Sequence, residues 1–462
     1  MKTLWVDSHC HLEDDQFNAD RQEVLERARG AGVGYVITLG SDILSSRKAV
    51  RLAQKNEEVY AGVGVHPHMA KTTGKRTFAT LAKFGDDPKV VAIGEVGLDY
   101  YRDLSPRNVQ QAVFRNQIRL ARRAGLPLVL HEREAHEDLV TILREERAWE
   151  ARGVIHCFSG DWEKAQDYLE LGFLLSIAGP VTFSKTEALQ EAVSKIPLEY
   201  LLVETDAPFL TPTPYRGRKR NEPSLLLHTA EKVAELKGIH LADLARITSQ
   251  NAHALFGLPS VDPAPQLVYH IGNAIHVNLT YTCTNHCFYC PRFNSDFFIA
   301  HNLHLEHDPS TEELWEALER AKDYKEVVFS GYGEPCLRLD VLKELARRVK
   351  ARGDRVRLVT NGHSNLIHGR NVLPELRGLI DTVDVSLHAE SAEKYLKIAD
   401  PPLGPQTYGE VHAFIREAKQ YVPCVRVAVP KKPFFVNLEE CERMVREELG
   451  VELLVRDYTV VA

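Results

Sequence analysis

The sequence predicts an α/β chain made of two successive barrels, a (β/α)8 barrel followed by a (β/α)6 partial barrel. Three observations predict it. Eight strand-like apolar runs begin near Leu4, Val33, Tyr60, Val90, Pro127, Val154, Phe173 and Leu201, and they alternate with helix-period stretches such as VFRNQIRLARRAG and DYLELG. Six further runs, near Ile275, Val327, Val356, Val383, Val425 and Leu453, alternate with patterns such as ELWEALERAK and VLKELARRVKAR. Between the two series, three prolines fall within seven residues from Pro259 to Pro265. Sustained strand–helix alternation is the pattern of parallel sheets covered by helices, and eight units in about 210 residues is the size of a TIM-like closed barrel.

The boundaries that follow are 1–258 for the first domain, 259–271 for a proline-rich linker and 272–462 for the second domain. Helices after Glu222 and Leu241 close the first barrel, ending near NAHALFGL. Composition is that of a globular enzyme: 44% hydrophobic and 26% charged residues, with a net charge of -7. The negative total argues against a nonspecific grip on duplex DNA or an acidic membrane by the field of the whole chain. No run of about 18 apolar residues occurs, so no membrane partner is expected. Asp7 and His9 arrive before a leader's apolar segment can form, which predicts a cytoplasmic protein. Eight cysteines are too few for a disulfide scaffold in this length, so clustered cysteines read as metal-binding or chemical.

In the first half the unusual residues fall at strand ends. His9 and His11 end the first strand, two residues apart and so on one face. His66 and His68 follow the third, in GVGVHPH. Glu95 ends the fourth, His131 the fifth, His156 the sixth and Asp206 the eighth. Carboxyl ends of barrel strands share one mouth, so these groups converge. Imidazoles and carboxylates are ligands for Zn, Mn or Mg, and a Glu can bridge two ions. Two ions ~3.5–4 Å apart clamp a phosphate and acidify a bound water, which is a hydrolytic arrangement. Arg133, two residues past His131, and the basic loop Arg216, Arg218, Lys219, Arg220 are candidates for phosphate contact, set against an ordinary solvated face. His66 is a candidate for phosphate or leaving-group contact rather than for metal. Cys10 and Cys157 alternate with the histidines and read as small buried fillers.

The series DSHCHL, GVHPH, GEVGLDYY, LHEREA, IHCFSG, ETDAPFL and YRGRKRNEP resembles the TatD family of metal-dependent deoxyribonucleases, in order, over about residues 4–258. The resemblance implies a metal-dependent hydrolase barrel in which His9, His11 and Asp206 bind one divalent ion, Glu95 bridges, and His131 and His156 bind the second. It implies that Asp206 is also the base for the attacking water, and that the reaction is 3′-to-5′ exonuclease-like hydrolysis of DNA with Mg, Mn or Zn.

In the second half, YTCTNHCFYCPR places Cys283, Cys287 and Cys290 in a C-x3-C-x2-C loop, with Tyr289 before the last cysteine. A closed zinc site wants four ligands. Three thiolates on a four-iron cluster leave one iron open for a cofactor. A structural zinc or a degenerate loop is the alternative. Cys336, Cys424 and Cys441 are scattered and read as ordinary thiols. The loop resembles that of the radical S-adenosylmethionine (radical SAM) superfamily, over about residues 272–458. SGYGEP, from Ser330 to Pro335, resembles the family's GGEP segment, with Tyr332 standing between the glycines. TNG follows the third strand and DVSLHA the fourth. The resemblance implies a [4Fe-4S] cluster on the three cysteines and S-adenosylmethionine held by Tyr289, Gly331, Gly333, Glu334, Asn361 and Ser386, with a purely backbone-supporting role for Glu334 as the alternative. It also implies reductive cleavage to a 5′-deoxyadenosyl radical, fed by an external donor such as flavodoxin or ferredoxin.

The expectation is therefore a bifunctional enzyme, a DNA phosphodiesterase joined to a radical SAM enzyme of unknown substrate. The alternatives are a hydrolase of a small phosphoester or amide with a radical SAM partner domain, and a non-catalytic assembly. The complete ligand sets in both halves weigh against the last.

Overall fold

Residues Trp5–Cys10 (β1), Val33–Leu39 (β2), Val59–Val63 (β3), Val90–Asp99 (β4), Leu128–Arg133 (β5), Gly153–Ile155 (β6), Leu174–Ile177 (β7) and Leu201–Val203 (β8) pair in sequence order, all parallel. This computed structural model describes residues 5–217, 220–259, 265–293, 296–298, 300–322, 324–431 and 436–456. The chain divides into two compact units, Met1–Val261 and Asp262–Ala462. Among the described residues no helix is long and apolar enough to cross a membrane.

In the first unit the period of two sorts each strand's residues between two cores. On β5, Leu128 and Leu130 pack outward with helix residues such as Phe114 and Leu139. Val129 joins an inner cluster with Val6, Val154 and Leu202, stoppered by Leu255, Phe256 and Leu258 at the end of the last helix, Leu241–Phe256. The apolar plug fills the lower lumen, so the next inward position on β5, His131, lies above it. The sheet closes where β1 meets the chain after β8. The Asp206 amide donates to His9 O (2.9 Å) and the His11 amide to Ala207 O (2.6 Å). The fully buried Asp7 carboxylate accepts from the Thr205 amide (2.9 Å) and hydroxyl (2.6 Å).

The second unit is an open sheet in which six parallel strands, β10 (Ala274–Val277), β13 (Glu326–Phe329), β14 (Arg355–Thr360), β15 (Thr382–Ser386), β16 (Cys424–Pro430) and β17 (Glu452–Arg456), lie in sequence order. A seventh, β9 (Val268–Ile271), adds antiparallel to β10 at the edge. Two short strands, β11 (Phe297–Phe298) and β12 (His301–Asn302), form a separate hairpin after the cysteine loop. Helices cover one face: Leu342, Leu345, Ala346 and Val349 form the buried stripe of the helix Leu339–Ala351. Val356 and Leu358 of β14 and Val383 and Val385 of β15 pack into that core. Their alternates Arg357, Val359 and Ser386 line a cavity on the other face.

The stretch 259–271, read above as linker, contains β9. Ile271 and Ala274 are paired across the two-residue turn Gly272–Asn273, with Gly272 at φ +59°. Gly-Asn between two apolar runs is a hairpin signal, and it extends the sheet backwards into the segment.

One glycine ties the fold to the site. Gly97 on β4 pairs with His131 on β5, and a Cβ at Gly97 would stand 2.1 Å from His131 O, with φ at +141°. Gly97→Ala must push β4 away from β5 and from the imidazole above. The expected result is a loss of about 2 kcal/mol or more in denaturant unfolding, with weaker metal binding. Unchanged stability and metal affinity would contradict this packing.

Candidate metal centre and cofactor cavity

Buried donors meet at the carboxyl ends of β1, β3, β4, β5, β6 and β8, and Glu95 stands at their centre. Its Oε1 lies 2.8 Å from His131 Nδ1, 2.9 Å from His156 Nε2 and 3.3 Å from His66 Nε2. Its Oε2 faces His11 Nε2 at 3.6 Å and His9 Nε2 at 3.7 Å. Asp206 Oδ1 completes the second side at 3.6 Å from His11 and 3.7 Å from His9. The donors thus form two sets that share Glu95. Asp206 is held at φ +55°, with its amide bonded to His9 O and its carbonyl to the Phe209 amide (2.8 Å), a strained conformation fixed from both sides.

The chemistry of the donors fits divalent cations. His9 Nε2 and His11 Nε2 are 3.3 Å apart, and His131 Nδ1 and His156 Nε2 are 3.2 Å apart. Two nitrogens bound at 2.0–2.1 Å to one tetrahedral ion are about 3.4 Å apart. Burial pushes the Glu95 carboxyl up, but His66, His156 and His131 outweigh it and hold it well below the usual range. Burial lowers His9 strongly and brings His66 to about 4, so both are neutral lone-pair donors. Burial also opposes charge on His11, His131 and His156. The carboxylates Asp206 and Glu13, Asp99 and Glu95, and Glu95 and Glu204 respectively prevail and raise them. Such a cluster attracts positive charge, and metal ions displace those protons.

The structure adds supporting groups that reading by motif did not assign. Asp99, fully buried, accepts from both His131 Nε2 (3.1 Å) and His68 Nε2 (2.8 Å). Glu204 faces His156 Nδ1 at 3.3 Å and accepts the Cys157 amide at 2.8 Å. His11 Nδ1 contacts Leu39 O at 2.8 Å. Strand parity carried the signal for Asp99: it is four residues past Glu95 on β4, on the same face. His66, expected as a phosphate contact, lies against Glu95 and His131 in a group able to hold an ion. Cys10 is buried against Ile37 O.

The cationic candidates divide. Arg133 is exposed, its guanidinium 4.0 Å from the Tyr101 ring, and Arg216 lies 4.0 Å over Phe183. Arg220 does not match its expected role: it is bound to Asp20 by two bonds of 2.6 and 2.7 Å, because the fold brings that carboxylate beside it. Arg218 and Lys219 lie outside the described residues.

In the second unit, a cavity of about 480 Å³ receives Cys283, Cys287, Cys290, Tyr289, Gly331, Gly333, Glu334, Asn361 and Ser386 from separate segments. Gly333 leaves no room for a side chain, since a Cβ would stand 2.2 Å from Thr280 O. Asn361 Nδ2 donates to Thr284 Oγ1 (2.7 Å) and lies 3.9 Å from Cys283 Sγ. His388, absent from the sequence-based candidates, is buried at φ +69°, 3.8 Å from Cys287 Sγ and bonded to the Tyr289 hydroxyl. Glu334 accepts from the Cys336 amide (3.0 Å), the Thr360 hydroxyl (2.7 Å) and the Asn361 amide (2.7 Å), so the carboxylate clamps the loop. Burial pushes the Cys283 thiol up to about 11 and raises Cys287 and Cys290 as well. A metal held by these thiols would therefore have to displace protons.

Residues 6–257 match the family model of the TatD related DNases, more than half of the chain. The chain belongs to the TatD-related DNase family. Residues 277–446 match the Radical SAM superfamily, so the chain is a metal-dependent hydrolase fused to a radical SAM domain. It is 44% identical over 253 residues to the uncharacterized metal-dependent hydrolase YabD of Bacillus subtilis, covering 55% of this chain and 99% of that one. It is 40% identical over 257 residues to the 3'-5' ssDNA/RNA exonuclease TatD of Erwinia amylovora, covering 54% of this chain and 99% of that one. The crystal structure of the TatD homologue YJJV from Escherichia coli superposes with a TM-score of 0.54 at 30% identity, over 56% of this chain and all of that one.

Asp99 aligns the imidazole that Glu95 touches. Asp99→Asn is expected to weaken divalent-metal affinity by about 10–100-fold in a competition titration, with the fold retained. Unchanged affinity would leave Asp99 a purely structural carboxylate.

Proposed function

We propose that this fused enzyme carries two catalytic centres. The first hydrolyses DNA phosphodiester bonds from the 3′ end, and the second uses a [4Fe-4S] cluster and S-adenosylmethionine. The observation that carries the first reading is the division of donors about Glu95, one oxygen to each set, which suits a carboxylate bridging two ions. When bound, two divalent ions of the Mg, Mn or Zn class polarise a phosphoryl oxygen and make water nucleophilic at neutral pH. His9, His11 and Asp206 hold one ion, and His131 and His156 hold the other. Asp206 orients the attacking water and takes its proton. Neutral His66 stands by the phosphoryl or leaving oxygen, and Arg133 and Arg216 hold neighbouring phosphates. The relative named as a 3'-5' exonuclease supports the direction of attack.

The second reading is supported by the number and placement of the thiols. Cys283, Cys287 and Cys290 line one cavity, and three ligands fall short of the four that close a structural zinc site. Three thiolates that bind separate irons leave a fourth iron for the cofactor. Gly331 and Gly333 admit the methionine end beside the thiols, and Asn361 and Ser386 contribute polar contacts. When bound and reduced by a flavodoxin- or ferredoxin-like donor, the cluster supplies the electron that cleaves S-adenosylmethionine. Free thiols at Cys283, Cys287 and Cys290 suit a reducing cytoplasm.

Asp206→Asn and His131→Ala are expected to lower release of nucleotides from a 3′-labelled single-stranded oligonucleotide by several orders of magnitude, with circular dichroism unchanged. Full activity in both would refute the assignment. Activity on a small phosphoester with none on the oligonucleotide would refute DNA as substrate. Cys287→Ala is expected to abolish both the visible absorbance of the reconstituted cluster and 5′-deoxyadenosine formation, while leaving oligonucleotide hydrolysis intact. Cofactor cleavage at the native rate in this variant would contradict the second reading.

A further inference from the structure

The cofactor contacts occupy the thiol side of the second unit's cavity. A further part of the lining is formed by His276 from β10, Ser330, Arg357 from β14 and Arg456 from β17. Arg357 and Arg456 share one carboxylate, the fully buried Asp384 of β15, at 3.3 and 2.9 Å. Asp384 is already bound by Arg426, at 2.7 and 3.0 Å. Arg357 has Glu326 as its other partner, at 2.8 Å, and Glu452 acts on Arg426. Of these charged groups only Arg357 and Arg456 line the cavity, so its lining there is cationic among the described residues.

One donor of this wall, Nε of Arg357, is buried and has no hydrogen-bond partner. A buried donor without an acceptor is costly, and one on a cavity wall marks a place for an arriving acceptor. His276 donates or accepts at Ser330 Oγ (2.7 Å). Burial and the two neighbouring arginines hold it at about 3, so it is neutral and adds a polar contact without charge. Guanidinium pairs fit carboxylate and phosphate oxygens through several bonds at once.

We propose that this wall binds an anionic group, a carboxylate or phosphate, on the substrate of the radical SAM domain. The proposal rests on the reading of the thiol side as the cofactor site. Position separates Arg357 from the cofactor side, whereas Arg456 also acts on His388 beside Cys287. Arg357 is four residues before Asn361 along β14, about 13 Å at ~3.3 Å per residue, and Asn361 is the one beside Cys283. The substrate is then anchored by its charged end, with its neutral end toward the thiols.

Crystals of the full chain soaked in selenate test the site directly. The expected result is an anomalous selenium peak within bonding distance of Arg357 and Arg456. The peak should be lost in Arg357→Gln/Arg456→Gln and kept in Arg456→Lys, which retains the charge. No selenium on this wall in the native chain would overturn the proposal. Equilibrium dialysis of S-adenosylmethionine against the reconstituted chain separates the two anion sources. Affinity within about 3-fold of native in Arg456→Gln supports a substrate anion, and a loss of about 10-fold or more assigns the arginines to the cofactor and overturns it. A selenium peak in a chain that takes up neither cluster nor S-adenosylmethionine supports the anion site and locates the failure in the cofactor reading.

Discussion

A buried carboxylate in a ring of imidazoles organises the first half of this chain. Glu95 is 4% exposed, and an ionised carboxylate at that depth survives only where positive charge or hydrogen bonds face both oxygens. The barrel supplies them from four different strand ends, with His131, His156 and His66 on one oxygen and His9 and His11 on the other. Much of the local architecture serves that convergence. Gly97 lets β4 approach the His131 carbonyl, Asp7 binds the closing segment at Thr205, and Asp206 is bent into the mouth by bonds on both sides. Asp99 and Glu204 then fix imidazole orientation from behind, which determines the nitrogen each ring presents.

The fold was legible because alternation of runs needs no long-range information. The eight runs of the first half lie within a residue of β1–β8, and the six of the second half fall on β10 and β13–β17. What escaped has physical reasons. β9 lies beside a proline-rich stretch, and its signal is one Gly-Asn pair. Asp99 looks like an ordinary polar residue until β4 is known to extend as far as Asp99, paired with Arg133 of β5, which sets its face. Arg220 read as part of a basic loop, yet its partner Asp20 is 200 positions away in sequence, and no local pattern reports such a pair. His388 stood inside a quoted motif, but its place beside Cys287 depends on a left-handed backbone turn.

The second half shows the same division between motif and context. The cysteine spacing singles out three thiols, whereas the cavity around them is lined from β9, β10, β14, β15, β17 and the segment after β13. Glu334 illustrates the difference. Within a motif it reads as a cofactor contact, and in the fold its carboxylate ties the Cys336 and Asn361 amides and the Thr360 hydroxyl into one loop. The shared Asp384 with its three arginines is likewise invisible in any single segment, because its members sit on β14, β15, β16 and β17.

The central claim is that one chain holds two metal centres of different chemistry. Metal analysis of the full chain, purified and reconstituted without oxygen, tests it most directly when native protein is compared with His131→Ala and with Cys283→Ala/Cys287→Ala/Cys290→Ala. The account predicts about two divalent ions and about four irons per native chain, with the divalent ions reduced only in the first variant and the iron lost only in the second. Zinc at the cysteines with no iron after reconstitution, or iron content unaffected by loss of all three thiols, would contradict it.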